Sequence, residues 1–116
     1  MKFKLVIAMV EDHNTEKAIE KAREMGATGA TVITSARGEG MKPAKTFFGL
    51  TLESQVDVLL FIVEEHLSRA IVEGIAEAAE FGTKKGAGVA LQLDIEDAIG
   101  LDSQLDAIKE EIETQL

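Results

Sequence analysis

The chain has 116 residues, 46% of them hydrophobic and 28% charged, which suits one globular domain with a modest core. Its formal net charge of −9 argues against nucleic acid as a partner, because that binding needs a basic face. There is no cysteine, hence no disulfide, thiolate metal site or thiol nucleophile. No apolar run reaches membrane-spanning length and the first residues show no signal pattern, so the expected compartment is the cytoplasm.

Within residues 2–10, Phe3, Leu5, Ile7 and Met9 alternate onto one face, which predicts a strand. Asp12 and Asn14 follow as candidate caps for a helix in which Ala18, Ile19, Ala22 and Met25 share a face. Gly26 stands where a C′ glycine would end that helix. Residues 30–36 predict a second strand. Residues 55–63 predict a third, with the continuous apolar run 58–63, which reads as a strand covered on both faces. The second cover could be a neighbouring subunit. A second helix opens near Glu65, carries Leu67, Ile71, Ile75 and Ala78 or Ala79 on its buried stripe, and is expected to stop at Gly82. A fourth strand covers 89–93. The order is β-α-β-β-α-β, the ferredoxin-like α+β plan: a four-stranded antiparallel sheet with two helices on one face. Residues 95–101 read as irregular or a short strand. The acidic end has one lysine, Lys109, and a stripe of Leu105, Ile108, Ile112 and Leu116 that predicts a last helix capped by Asp102 or Ser103. The expected division is a core domain over 1–101 and a helical extension over 102–116.

Two glycine-and-cation loops stand out. The first leaves the second strand through Arg37, Gly38, Glu39 and Gly40 and carries Lys42 and Lys45. The second is Gly82, Thr83, Lys84, Lys85, Gly86, Ala87 and Gly88. Backbone N–H groups at glycines, beside cations, favour an anion, so the two loops are candidates to meet around a phosphate-bearing ligand. Two flexible turns with solvated lysines would also account for them. Phe47 and Phe48, in a glycine-flanked loop, either seek an interface or tuck under the loop. His13 and His66 have no metal-ligand spacing around them, and Ser35 and Ser54 lack the context of a nucleophile. Glu64 and Glu65 are adjacent, so on a strand they would face opposite ways and read as a solvated strand end.

The ordered signatures 26–32, 36–40, 45–50, 56–63, 86–91 and 95–101 resemble the trimeric PII-like signalling proteins. The resemblance implies a homotrimer with an adenine nucleotide (ADP, AMP or ATP) held in each cleft between subunits. No covalent cofactor, metal or catalytic residue is implied, and no enzyme is expected. It places Gly29 and Thr31 beside the base, Arg37, Gly38 and Gly40 at the root of the long loop, Phe61 in the cleft wall, and Gly86 and Gly88 in the second loop. Lys84 and Lys85 are further phosphate candidates. The long loop, with Glu39, Met41, Lys42, Lys45, Phe47 and Phe48, would be the surface that docks on a regulated partner, often a membrane transporter. Bicarbonate is a co-ligand in some branches, and links to inorganic-carbon or nitrogen metabolism go with the resemblance. The chain departs from the nitrogen regulators in three ways. Val89 stands where they have a lysine, Ile99, Gly100 and Leu101 stand where they have two arginines, and the long loop is shorter than usual and has no tyrosine to uridylylate. A divergent branch is therefore expected. Two other functions remain open: a metal-responsive trimer of similar fold, and a small phosphate-ester hydrolase using Arg37.

Overall fold

The structure is a computed structural model, and it describes residues 2–34, 46–47, 50–51, 56–83 and 87–101. In chain order it contains β1 (Phe3–Glu11), a 3-10 turn (Asp12–Asn14), α1 (Thr15–Glu24), β2 (Thr31–Thr34), β3 (Thr46–Phe47), β4 (Leu50–Thr51), β5 (Val56–Glu64), α2 (Glu65–Ala78) and β6 (Gly88–Asp94). The expected α+β plan is present. Four strands form an antiparallel sheet in the order β2-β5-β1-β6. Within the stretch expected to be loop, β3 and β4 pair as a separate two-stranded ladder, Thr46 opposite Thr51 and Phe47 opposite Leu50. Residues 95–101 are irregular. The expected C-terminal helix lies outside the described residues.

Both helices cover one face of the sheet. Val6, Ala8 and Val10 of β1 pair with Phe61, Leu59 and Asp57 of β5, and the apolar members of this set join Ala18, Ile19, Ala22, Ile71, Ile75 and Ala79 in a single core. The face that Phe3, Leu5, Ile7 and Met9 share is therefore the other one, away from the helices. There Leu5, Ile7, Leu60, Ile62 and Leu91 are half-buried, and Leu93 and Ile33 are 44% and 51% exposed. No described element covers this face. A central strand apolar on both sides, as β5 is, leaves one side waiting for a cover.

Both helices end in the same backbone motif, from different residues. At α1 the Ala27 N–H donates to the Ala22 carbonyl and the Gly26 N–H to the Arg23 carbonyl, with Gly26 at φ 113°. This is the Schellman arrangement with glycine at the left-handed position, as expected. At α2 the corresponding bonds run from Phe81 to Ala76 and from Glu80 to Glu77, and the left-handed residue is Glu80, at φ 62°. Gly82 does not stop the helix. Phe81 packs against the core, and that contact fixes the turn two residues earlier than the glycine would.

The start of α2 also differs from its sequence reading. Glu64 is 5% exposed, and its Oε2 accepts the His66 backbone N–H at 2.7 Å, so it caps the helix instead of ending a solvated strand. Its Oε1 meets His66 Nδ1. That hydrogen bond, then the Glu64 charge, holds the His66 imidazole above its usual range. At α1 neither Asp12 nor Asn14 caps through its side chain. Asn14 is 1% exposed and is bonded elsewhere.

Two outcomes are expected. Glu80→Gly should stabilise the fold by about 1 kcal/mol or less, as relief of the left-handed side chain is partly offset by unfolded-chain entropy. Glu80→Val should destabilise it, because a β-branched residue resists positive φ. Urea midpoints of the two variants check this. A raised His66 pKa gives stability that is full below the unfolded value and lost as pH rises through the folded one. The stability difference between wild type and His66→Gln should therefore shrink as pH rises above about 6.5, the ordinary histidine value. An unchanged difference would sever the His66 ring from Glu64.

Candidate functional site

The strand register sets the geometry of the loops. Thr34 pairs with Asp57, Asp57 with Val10, and Val10 with Gly88, so these residues form one row across all four strands. The first glycine loop leaves β2 just after this row, and the second enters β6 at it. Both loops thus start from the same end of the sheet. They start from opposite edges, since β2 and β6 are the outer strands. Three strand spacings separate the roots by about 14 Å. Within one subunit the roots themselves stand apart, at the two edges of the sheet.

The expected site residues fall into three groups. Gly29 and Thr31 lie on the surface at the start of β2, and both are exposed. A Cβ at Gly29 would meet nothing within 4 Å, and its φ is not in the left-handed region, so the fold itself makes no demand for glycine there. Gly88 is the opposite case. A Cβ there would strike the Phe81 ring and lie 2.5 Å from the Met9 carbonyl oxygen. The chain's own packing requires that glycine, whatever it does for a ligand. Phe61 departs from its expected place. It is 1% exposed, in the core between sheet and helices, so its side chain packs the interior and walls no surface cleft. Arg37, Gly38, Gly40, Lys84, Lys85 and Gly86 lie outside the described residues. So do Glu39, Met41, Lys42, Lys45 and Phe48 of the docking loop, and Ser35 and Ser54. Phe47 belongs to β3.

The sequence did not single out two polar clusters. At the loop end, Thr15 Oγ1 donates to Asp57 Oδ2 at 2.6 Å, and Asn14 Nδ2 donates to the Ala79 carbonyl at 3.3 Å. A carboxylate between Val56 and Val58, at the start of an otherwise apolar strand, was the available signal. At the other end, one ligand atom each from Glu64, Glu65 and His66 lies within 4.8 Å of the others. The strand-to-helix turn folds the two carboxylates to one side, which strand alternation alone forbids. Both Glu64 oxygens are engaged by His66, through its backbone N–H and its ring, so the cluster works as a helix cap. Nearby, Lys4 meets Asp94 at 2.6 Å and holds that carboxyl below its usual range, first by hydrogen bond and then by charge.

A comparison with curated proteins found no match. Among solved structures, the chain is similar to a PII-like signalling protein of Thermus thermophilus. The identity is 26% and the TM-score 0.57, covering 82% of this chain and 90% of that one. It also shares its fold with CPII of Thiomonas intermedia, a structure bound to ADP, AMP and acetate, at 20% identity and TM-score 0.62, over 85% of this chain and 94% of that one. The profile of the family described as "Nitrogen regulatory protein P-II" matches residues 3–114. With the match spanning nearly the whole chain, and the sheet, helices and loop ends arranged as above, the chain belongs to the nitrogen regulatory protein P-II family.

Proposed function

We propose that this protein is a cytoplasmic, non-catalytic homotrimer that binds an adenine nucleotide between subunits and passes its state to a partner protein. The observation that carries this reading is the placement of the two loop roots at one end of the sheet but on opposite edges. In this reading the first loop of one subunit and the second loop of its neighbour hold the ligand between them. The apolar face of Leu5, Ile7, Leu60, Ile62 and Leu93 supplies a reason to associate, since a patch of this kind usually marks an interface. The nucleotides in the Thiomonas structure support an adenine ligand.

In this reading the base lies by Gly29 and Thr31. Arg37 takes the phosphates with Gly38 and Gly40, and Lys84, Lys85, Gly86 and Gly88 close the other side. Arg37 follows β2 by three residues, where the backbone is anchored, and its planar fork can hold two phosphate oxygens at once. Val89, in place of a lysine, leaves fewer cations for a triphosphate, which favours ADP or AMP. Bicarbonate is the co-ligand to test. Glu39, Met41, Lys42, Lys45, Phe47 and Phe48 would form the partner contact, with a membrane transporter as the regulated protein.

Calorimetry with ADP and AMP, with and without bicarbonate, tests the reading. Arg37→Ala should weaken ADP binding by about ten-fold or more, the loss of one charge-assisted hydrogen bond of about 1.5 to 3 kcal/mol. Gly29→Ala is the sharper probe. Open space around it means the fold tolerates the methyl, so urea stability should be unchanged or raised by up to about 1 kcal/mol, while nucleotide binding falls. Wild-type affinity in Gly29→Ala would move the base away from β2. Sedimentation equilibrium should give a trimer, and a stable monomer at micromolar concentration would remove the intersubunit site.

A further inference from the structure

Asn14, Thr15 and Asp57 form a buried polar group that the nucleotide reading does not use. They are 1%, 6% and 7% exposed, where the 3-10 turn, the start of α1, the start of β5 and the end of α2 converge. Their hydrogen bonds fix the role of each atom. The Asn14 amide N–H donates to the Ala79 carbonyl, so its Oδ1 is the atom left over. The Thr15 hydroxyl has one proton and gives it to Asp57 Oδ2. Asn14 Oδ1 and Asp57 Oδ1 are both buried, and neither has a hydrogen-bond partner. Both are acceptors. The C-terminal end of α2, whose carbonyls carry partial negative charge, lies beside them. Among the described residues no lysine or arginine pairs with Asp57.

Such a carboxylate is costly. Removing an ion from water is unfavourable by several kcal/mol unless a counter-charge and hydrogen bonds offset it, and one hydroxyl supplies a single bond. Two buried unsatisfied acceptors call for an ion or an ordered water. An all-oxygen set suits hard cations. The charge selects among them: one carboxylate neutralises one monovalent ion, whereas a divalent ion would keep an excess charge in the interior. The geometry points to a buried site for a monovalent alkali cation, sodium or potassium, held by Asp57 Oδ1 and Asn14 Oδ1. An ion there would brace the row from which both loops leave. This inference is independent of the nucleotide.

Urea unfolding of the full chain in LiCl, NaCl, KCl or choline chloride, at one ionic strength, tests it. Sodium or potassium should stabilise the protein over choline. At about 100 times the dissociation constant the unfolding constant should fall about 100-fold. Asp57→Asn should lose that dependence while Thr15→Val keeps it. If Asp57→Asn does not fold, Asn14→Ala provides the same readout, with loss or marked weakening expected. Sodium-23 relaxation of the wild type should show one displaceable ion per chain. Equal midpoints in all four salts would overturn the site and leave ordered water at both oxygens. A dependence that survives at full strength in Asp57→Asn or Asn14→Ala would overturn it too, by placing the ion elsewhere.

Discussion

The pairing of β1 with β5 is the constraint on which the rest of the molecule depends. Nine residues of each strand are in register, from Phe3 opposite Glu64 to Glu11 opposite Val56. Both strands are apolar on both faces, so this ladder is buried from the helix side by Ala18, Ile71 and Ile75 and asks for burial from the other. Helix placement, strand order and the position of both loop roots follow from it. A one-residue slip would turn Phe61 and Leu59 out of the core and carry Asp57 to the other face. The register thus fixes the polar row at the loop end as firmly as it fixes the core.

The four strands of the main sheet and the two helices were legible from their apolar residues, whereas β3 and β4 were not. The α1 stripe and the Gly26 cap were readable because a left-handed glycine at a helix end is a local signal. Where local signals conflicted with tertiary packing, packing decided. Gly82 was the obvious stop for α2, yet Phe81 reaches the core only if the chain turns at Glu80, and burial of the ring outweighs the cost of a left-handed glutamate. Alternation on β1 was read correctly, but nothing in one strand says which face meets the helices. The register with β5 decides that, and β5 lies far along the chain.

The expected site residues divide by exposure. Gly29 and Thr31 sit on the surface where a ligand could reach them, and the glycine is there without a structural need. Phe61 and Gly88 carry the same motif signal but have strong internal duties, one as core and one as a close approach to Met9 and Phe81. A motif cannot separate these uses, because packing and ligand contact select the same residue. Asn14, Thr15 and Asp57 were missed for the converse reason. Asp57 is 42 residues from Thr15, and only the fold brings it to the adjacent pair Asn14 and Thr15.

The proposed placement of the nucleotide between the opposite edges of two subunits has a thermodynamic consequence. A binding site shared across a subunit boundary makes ligand affinity and assembly two sides of one equilibrium. Whatever free energy the nucleotide gains by touching both edges also adds to the association constant of the subunits, by the same amount. Apparent affinity would then rise with protein concentration, and a dilute preparation would read as a weak binder. The protein would report its own abundance together with that of its ligand.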